Sequence, residues 1–281
     1  MSTKSERVLP LILDARRALR GGAAAIAERQ RAGFAEMVAF ARAKSSRWAQ
    51  RPNMASHQRD ELAANERSTR DDDMSDSDRS YWDKHSKNYD RSMSLLGRPI
   101  PRMVELAHEA TRGMGRVLEV AAGTGLVTPA LASGAAEVIA TDYSAAMVAA
   151  LERRVRDAGV TNVRCEQADL YALRFDDGTF DAVVAANVLH LVPDLPGALA
   201  ALRRVVKPGG RVIVPTFCHD ETPFSWVVSR ALAVTGFPGH RRFTAKSLRQ
   251  AVEEAGVRVT RTETLPGLIP IGYVEGTFGP G

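Results

Sequence analysis

From Tyr81 onward, short apolar runs alternate with longer segments in which apolar residues recur at helical spacing. The apolar runs predict strands at residues 116–121, 137–141, 162–166, 180–185 and 210–216. The segments between them predict helices near residues 126–133, 145–158 and 196–206, and Pro208-Gly209-Gly210 predicts a turn before the fifth strand. This alternation is typical of a parallel sheet that helices cover on both faces.

The C-terminal segment adds one helix and two strands to this pattern. Thr244 is a suitable N-cap for a helix that runs through Ala255 and ends at Gly256. Strands near residues 257–263 and 269–276 are expected to follow it.

The N-terminal part of the chain differs in composition from the rest. Residues 1–50 are rich in Ala and Arg with apolar positions at helical spacing, which predicts a basic helical extension. Its positive face could make peripheral contact with an anionic membrane, or could simply be solvated. Residues 51–79 are polar and predict a disordered linker ahead of a folded domain over 80–281. Met74 raises the hypothesis that the native chain starts within this linker.

The composition is that of an ordinary globular protein, with 44% hydrophobic and 25% charged residues. Its two cysteines, Cys165 and Cys218, are too few for a disulfide framework or a four-ligand zinc site, so no metal site is predicted. No run approaches the roughly 20 apolar residues of a membrane-spanning helix, and the first residues carry no secretory signal. We therefore expect a cytoplasmic protein without a transmembrane segment.

The net charge of +5 is distributed unevenly along the chain. Residues 1–59 carry twelve Lys/Arg against four Asp/Glu, whereas residues 81–281 carry 23 against 21. The basic excess lies outside the strand–helix region, and no Lys/Arg run is interleaved with aromatic residues. This pattern disfavours a nucleic acid as substrate or partner.

A glycine-containing turn joins the first predicted strand to the next helix. The strand ends in Ala121-Ala122-Gly123-Thr124-Gly125, and glycine lets the backbone approach a ligand closely because it has no Cβ. A dinucleotide fingerprint would need a further glycine three residues after Gly125, which disfavours a nicotinamide oxidoreductase. A P-loop would need a Lys-Ser/Thr pair, which is also missing. The turn by itself therefore predicts only a nucleotide-type ligand.

Three carboxylates stand at the ends of the first three predicted strands. Asp142 follows the glycines by about 20 residues, a position from which a carboxylate can accept both hydroxyls of a ribose. Asp169, after the third strand, can accept a hydrogen bond from an adenine amino group, and Glu119 can pair with an ammonium group. Because parallel strands end at one edge of the sheet, the three side chains should line one crevice.

Four segments in succession carry a family resemblance: VLEVAAGTG (117–125), ATDYSAAM (140–147), DDGTFDAV (176–183) and RVVKPGGRV (204–212). In this order they resemble the motifs of class I S-adenosylmethionine-dependent methyltransferases, in the branch of quinone C-methyltransferases and bacterial phospholipid N-methyltransferases. The resemblance covers about residues 80–281. It implies a three-layer Rossmann-like α/β sandwich whose mostly parallel, seven-stranded sheet has an antiparallel last strand.

The resemblance also implies S-adenosylmethionine as the cofactor and a set of residues that bind it. Glu119 would hold the methionine end, Asp142 the ribose and Asp169 the adenine. Ala121 departs from the pattern, since many family members carry a glycine there. The full set is Tyr89, Glu119, Ala121, Gly123, Thr124, Gly125, Asp142, Tyr143, Met147, Asp169, Leu170, Asn187 and Val188.

Aromatic residues precede the first predicted strand, in the segment YWDKHSKNYD (81–90). It resembles the short first helix of the same branch. Tyr89 and Tyr81 could close over the positive sulfonium of the cofactor, or could pack this helix onto the core. For Trp82 we favour the packing interpretation.

Candidates for contact with the methyl acceptor are Tyr81, His190, His219 and Arg241. His190 follows the fourth strand and is a weak candidate for a general base, because a packed, hydrogen-bonded histidine is the competing interpretation. Arg241 could bind an anionic group such as a lipid phosphate. The apolar stretch 217–239 could form the wall of a pocket for a small or lipid-like acceptor, or a helix that covers the sheet.

Methyl transfer is an in-line displacement in which positioning is the main contribution of the protein. The sequence thus predicts a methyltransferase for a small or lipid-like acceptor. A cofactor-binding scaffold without activity, and an enzyme that methylates RNA or protein, remain as alternatives. An aminopropyltransferase would need several acids after the fourth strand, and residues 187–195 supply only Asp194.

Overall fold

The computed structural model describes residues 76–96, 99–233 and 239–279. The predicted basic extension (1–50), most of the predicted linker (51–79) and the hypothesis on Met74 lie outside these ranges. The first helix, α1, spans Asp76–Leu96, so residues 76–79 belong to this helix and not to a linker.

Within these ranges eight strands form one sheet. The strands are β1 (Arg116–Glu119), β2 (Glu137–Asp142), β3 (Val163–Gln167), β4 (Phe180–Val184), β5 (Val206–Ile213), β6 (Thr216–Phe217), β7 (Val257–Leu265) and β8 (Ile271–Phe278). Their order is β3-β2-β1-β4-β5-β8, and both β6 and β7 also pair with β8. Strands β1 to β5 are parallel, whereas β8 is antiparallel to β5, β6 and β7. The predicted fold class is confirmed.

The eighth strand arises because the fifth predicted strand is interrupted at Pro215, which has no N–H to donate to a ladder. Before the proline, β5 pairs with residues 275–277 of β8, and after it β6 pairs with residues 271–272. Strand β6 therefore continues the pairing of β5 with β8.

The predicted turn at 208–210 lies inside β5 and does not precede it. Val206 already pairs with Phe180, whereas the next paired residue on β5 is Arg211. The residues between them bulge out of the ladder, and Gly209 has a φ of +73°. The predicted turn is present, but the strand begins before it.

Helices cover both faces of the sheet. They are α2 (Pro99–Thr111), α3 (Thr128–Gly134), α4 (Ala145–Asp157), α5 (Leu195–Val205), α6 (Pro223–Ala233) and α7 (Ala245–Glu254), with a 3-10 turn at Leu170–Ala172. One buried cluster joins Leu202 of α5 and Leu248 of α7 to Leu118 of β1. The other joins Leu131 of α3 to Val117 of β1. Neighbouring residues of β1 therefore face opposite layers, which is why the strand is apolar at successive positions.

Side-chain caps fix the start of two helices. Thr244 and Ser247 form a capping box at α7, as the sequence predicts for Thr244. At α4 the hydroxyl of Ser144 accepts a hydrogen bond from the backbone N–H of Met147 at 3.1 Å. These caps set the helix starts next to the carboxyl ends of the strands.

No helix in the described ranges is both long and apolar enough to cross a bilayer. Helix α1 has the length, with 21 residues, but carries charged residues through most of it. The same part of the chain contains no group of three or more His, Cys, Asp or Glu side chains that could hold a metal ion.

Candidate functional site

The chain turns sharply after β1, at the carboxyl edge of the sheet. Three residues of this turn have positive φ: Ala121 (+50°), Gly123 (+58°) and Gly125 (+82°). Glycine adopts such angles at little cost, whereas an L residue with a Cβ costs about 1–2 kcal/mol there. Ala121 is therefore strained, as residues at functional sites often are.

The two glycines of the turn serve different purposes. A Cβ on Gly123 would lie 3.7 Å from Cε1 of Tyr89, in the space between the turn and α1. A Cβ on Gly125 would lie 2.5 Å from Cδ1 of Leu151 on α4. Gly125 thus permits close packing of the turn on a helix, whereas a Cβ on Gly123 would point towards α1. That both glycines admit the cofactor stays a prediction.

Asp142 links this turn to the loop after β2. Its Oδ2 accepts the backbone N–H of Gly123 at 2.7 Å, and its Oδ1 accepts that of Ser144 at 2.9 Å. Burial raises the pKa of this carboxyl to about 6, although these hydrogen bonds favour the anion. The residue is 8% exposed and lies where a ribose-binding acid was predicted.

Glu119 is more deeply buried than Asp142, with 1% of its surface exposed. Its Oε2 accepts a hydrogen bond from the hydroxyl of Thr128 at 2.6 Å. Burial raises its pKa to about 8, and the nearby negative charge of Asp142 adds to this effect. The carboxyl is therefore largely protonated at neutral pH and would ionise beside a cation.

Asp169 follows β3 and acts as the cap of the 3-10 turn. Its Oδ1 accepts the backbone N–H of Tyr171 at 2.9 Å. The phenol of Tyr171 in turn donates to the carbonyl of Asp194 at 2.9 Å. These bonds fix the loop after β3, with Leu170 buried beneath it.

A cleft opens at this edge of the sheet, and we call it the strand-end cleft. It is lined by Trp82, Tyr89, Ala121, Gly123, Asp142, Tyr143, Met147, Ala186, Asn187, Val188 and Leu191. Most of the predicted cofactor-binding residues thus meet in one place. The lining does not include five of the predicted residues: Glu119, Thr124, Gly125, Asp169 and Leu170. Sequence reasoning missed Trp82, Ala186 and Leu191, although the last two flank predicted residues along the chain.

Helix α1 forms one wall of the strand-end cleft, and side chains fasten it at both ends of that wall. Asp83 accepts a hydrogen bond from the hydroxyl of Ser144. Asp90 accepts one from the hydroxyl of Thr124 at 2.5 Å and also pairs with Arg154. Thr124 therefore holds the helix, and its predicted contact with the cofactor stays a prediction.

The aromatic residues of α1 lie between these attachments. The rings of Trp82 and Tyr89 meet edge to face, with centroids 6.1 Å apart. Tyr81 stacks on His85 at 4.1 Å and is not among the lining residues. Burial raises the pKa of the Tyr89 phenol, which keeps it neutral. Trp82 lines the cleft and also packs within α1 against Tyr89.

Asn187 follows β4 with a φ of +55°, a strained conformation for a non-glycine residue. Its Nδ2 donates to Sδ of Met103 at 3.4 Å. Its Oδ1 is buried, and no described residue donates a hydrogen bond to it. Since Asn187 lines the cleft, this oxygen is an acceptor that a ligand can use.

Three of the predicted acceptor-contact residues come together after β4 and β6. The rings of His190 and His219 are buried, with centroids 5.3 Å apart. The carbonyl of His190 accepts the backbone N–H of Arg241 at 3.1 Å. Leu191, the neighbour of His190, lines the cleft, so this cluster adjoins it. Tyr81, on α1, is not part of the cluster.

Both histidines of this cluster are held neutral. Burial lowers the pKa of His190 well below its usual value and that of His219 to about 4. A base of such low pKa takes a proton weakly at pH 7, which disfavours His190 as a strong general base.

The apolar residues of the stretch 217–239 differ in how far they are exposed to solvent. Phe217 and Val228 are buried, whereas Phe224 and Trp226 of α6 are 54% and 46% exposed. The expectation that this stretch walls a pocket or covers the sheet is therefore wrong for the two aromatic residues. Residues 234–238 lie outside the described ranges.

The fold and the strand-end cleft define an α/β protein of the nucleoside-cofactor-binding class. Residues 118–214 match the methyltransferase domain family. The ubiquinone/menaquinone biosynthesis C-methyltransferase of Stutzerimonas stutzeri (strain A1501) is 30% identical over 200 residues, or 64% of this chain and 74% of that protein. The phosphatidylethanolamine N-methyltransferase of Cereibacter sphaeroides is 38% identical over 135 residues, or 47% of this chain and 65% of that protein.

A solved structure, a complex of DhpI with SAH, is also similar. It is 26% identical with a TM-score of 0.56, and the match covers 72% of this chain and 96% of that chain. This chain belongs to the S-adenosylmethionine-dependent methyltransferases, and S-adenosylmethionine is the cofactor of that family. The predicted family and cofactor are confirmed. The chain spans between 43% and 65% of the length of several curated relatives.

The strain in the turn after β1 predicts opposite effects of two substitutions. Ala121→Gly should raise the free energy of unfolding by up to about 1 kcal/mol, because it removes the Cβ at positive φ. Gly125→Ala should lower it by about 2–4 kcal/mol, because the new Cβ adds a clash with Leu151 to the backbone strain. Urea unfolding followed by circular dichroism measures both.

Gly113→Ala is the matched control for this experiment. Gly113 has a φ of +78°, but a Cβ there would have no neighbour within 4 Å. It should therefore cost only the backbone strain, about 1–2 kcal/mol. Equal losses for Gly113→Ala and Gly125→Ala would contradict the packing on Leu151.

Proposed function

We propose that this protein transfers a methyl group from S-adenosylmethionine to a small or lipid-like acceptor at the strand-end cleft. One observation carries the proposal: Gly123, Asp142 and Asn187 line a single cleft at the carboxyl ends of β1, β2 and β4. The aromatic residues Trp82 and Tyr89 line the same cleft from α1.

Three features of the cleft suit the cofactor. Gly123 leaves open the space beside Tyr89 that a Cβ would fill. Asn187 offers a buried carbonyl oxygen to a donor. The carboxylate of Asp142 accepts backbone N–H groups from Gly123, Ser144 and Tyr143, and a remaining lone pair can accept a ribose hydroxyl.

Glu119 and Asp169 are proposed to act at the two ends of the cofactor. Glu119 would pair with the amino group of the methionine end, because a buried carboxyl of raised pKa gains a counter-charge there. Asp169 would accept the amino group of the adenine, with the loop after β3 held in place by Tyr171.

When bound, the cofactor supplies a methyl group already activated on a sulfonium. The chain contributes position, because in-line displacement requires the acceptor atom to face the methyl group. The faces of Tyr89 and Trp82 can stabilise the positive charge until it is lost. The neutral His190 and His219 can accept a hydrogen bond from the acceptor, but they remove a proton only weakly.

The acceptor is proposed to be lipid-like, as the names of the two relatives, acting on a quinone and on phosphatidylethanolamine, suggest. Met147, Val188 and Leu191 give the cleft an apolar wall. Arg241 donates from Nη2 to the carbonyl of Pro193 at 2.8 Å. Its Nε is buried without a partner among the described residues, so it can bind an anionic group of the acceptor. The proposed location is the cytoplasm.

Asp142→Ala should weaken the binding of S-adenosylmethionine by about 10- to 100-fold, because it removes a charged acceptor of ribose hydroxyls. Isothermal titration calorimetry measures the dissociation constant. Asp177→Ala is the control, since this carboxylate is exposed and pairs with Arg204 on the surface. Equal binding by Asp142→Ala and wild type would overturn the assignment of the ribose site.

Binding of S-adenosylmethionine should release a proton from Glu119. Its pKa of about 8 leaves the carboxyl protonated below neutrality, and pairing with an ammonium lowers that pKa. Close to pH 7 the amino group of the cofactor is largely protonated and Asp142, with a pKa of about 6, is mostly ionised, so a rise of affinity with pH there reports on Glu119. Titration calorimetry in buffers of different ionisation enthalpy counts the protons.

Glu119→Gln should bind more weakly and lose the proton release at pH 7, where Asp142, with a pKa of about 6, is already mostly ionised. Thr128→Val keeps the carboxyl of Glu119 and should keep the proton release. If wild type releases no proton, Glu119 does not hold the ammonium group.

The methyl group should enter the lipid fraction of a host extract. Tritium-labelled cofactor, followed into separated lipid, protein, RNA and polar fractions, tests this. Label in the protein or RNA fraction would favour the macromolecular alternative. Binding without transfer into any fraction would favour a scaffold.

A further inference from the structure

Helix α6 buries small polar residues and exposes large apolar ones. Ser225, Val228 and Ser229 are 0%, 1% and 6% exposed, and their spacing places them on one face. Phe224 and Trp226 are the exposed large hydrophobic residues of the described ranges. A helix on a globular core normally has the reverse arrangement, with its polar residues in water.

The rotation of α6 is fixed by hydrogen bonds at its start. The hydroxyl of Thr222 accepts the backbone N–H of Ser225 at 3.0 Å, and the hydroxyl of Ser225 accepts that of Thr222 at 3.0 Å. This reciprocal pair is a capping box, and Pro223 occupies the first helical position, which it favours. A rotation that buried the two rings would break the box and expose Val228.

The exposed face of α6 combines aromatic rings with positive charge. The guanidinium of Arg230 lies 5.0 Å from the ring centroid of Trp226, and α6 contains no acidic residue. Just before the helix, Asp220 is exposed, while Glu221 accepts the backbone N–H of Ala245 at 2.6 Å. Arg242 is also exposed, next to Phe243, whose carbonyl accepts the backbone N–H of Asp220. The exposed positive charges of Arg230 and Arg242 therefore outnumber the exposed negative charge of Asp220.

We propose that the face formed by Phe224, Trp226 and Arg230 docks on an anionic lipid surface. Tryptophan beside arginine suits the headgroup region, because the ring is amphipathic and the long cation reaches lipid phosphates. Two rings and one cation are too small an area for a stable protein interface, which needs about 800 Å² on each partner. This docking goes beyond the proposed methyl transfer and does not depend on it.

The first test is sedimentation of the full chain with vesicles, without cofactor or acceptor. Binding to phosphatidylcholine vesicles containing phosphatidylglycerol should fall at least about tenfold for Phe224→Ser/Trp226→Ser, because the apolar contact is lost. Phe224→Leu/Trp226→Leu is the matched control and should retain binding. Arg230→Gln should lose about fivefold on these vesicles and little on pure phosphatidylcholine. Arg249→Gln, on the exposed side of α7, should bind as wild type does.

The second test distinguishes α6 from the basic residues 1–50, which could bind anionic vesicles themselves. Trp48→Phe/Trp82→Phe leaves Trp226 as the single tryptophan. Its emission should shift to the blue and be quenched by lipids brominated on their acyl chains. Vesicle binding without quenching would overturn the proposal. A second result would also overturn it. If Phe224→Ser/Trp226→Ser keeps vesicle binding but no longer self-associates in size-exclusion chromatography, the face is an interface between two copies of the chain.

Discussion

The strand-end cleft depends on the buried carboxylate of Asp142. It receives the backbone N–H groups of Gly123 and Ser144, and so ties the turn after β1 to the start of α4. Burying a carboxylate costs free energy, and a pKa raised to about 6 is the sign of that cost. The two hydrogen bonds offset part of it. The same group can serve a ribose only because this network already holds it in place.

The rest of the cleft is built outward from the two loops that Asp142 joins. Ser144 and Thr124, one on each loop, donate to Asp83 and Asp90 of α1. The helix thereby holds Trp82 and Tyr89 at the cleft. The two non-glycine residues with positive φ in the described ranges, Ala121 and Asn187, both line this cleft. Burial also raises the pKa of Glu119, and a cation beside this carboxyl would favour its ionised form.

The chain order of the motifs predicted the sheet and most of the cleft lining. Parallel strands end at one edge, so residues after β1, β2 and β4 had to meet there, and Ala121, Asp142 and Asn187 do. Tertiary contacts showed structural roles that the spacing did not predict. Gly125 leaves room for Leu151 of α4, and Thr124 bonds to α1, and both contacts come from helices distant along the chain.

The sequence by itself indicated the family and the cofactor, through the resemblance of its motifs, and the succession of strands and helices along the chain, because motifs and hydrophobic periodicity are local properties of the chain. Only the tertiary structure decided the pKa values of Glu119 and His219, the place of Trp82 in the cleft wall and the exposure of Trp226. Each of these follows from which atoms surround a side chain, and residues distant in sequence supply those atoms. Desolvation and helix rotation are properties of packing, so no local pattern could have predicted them.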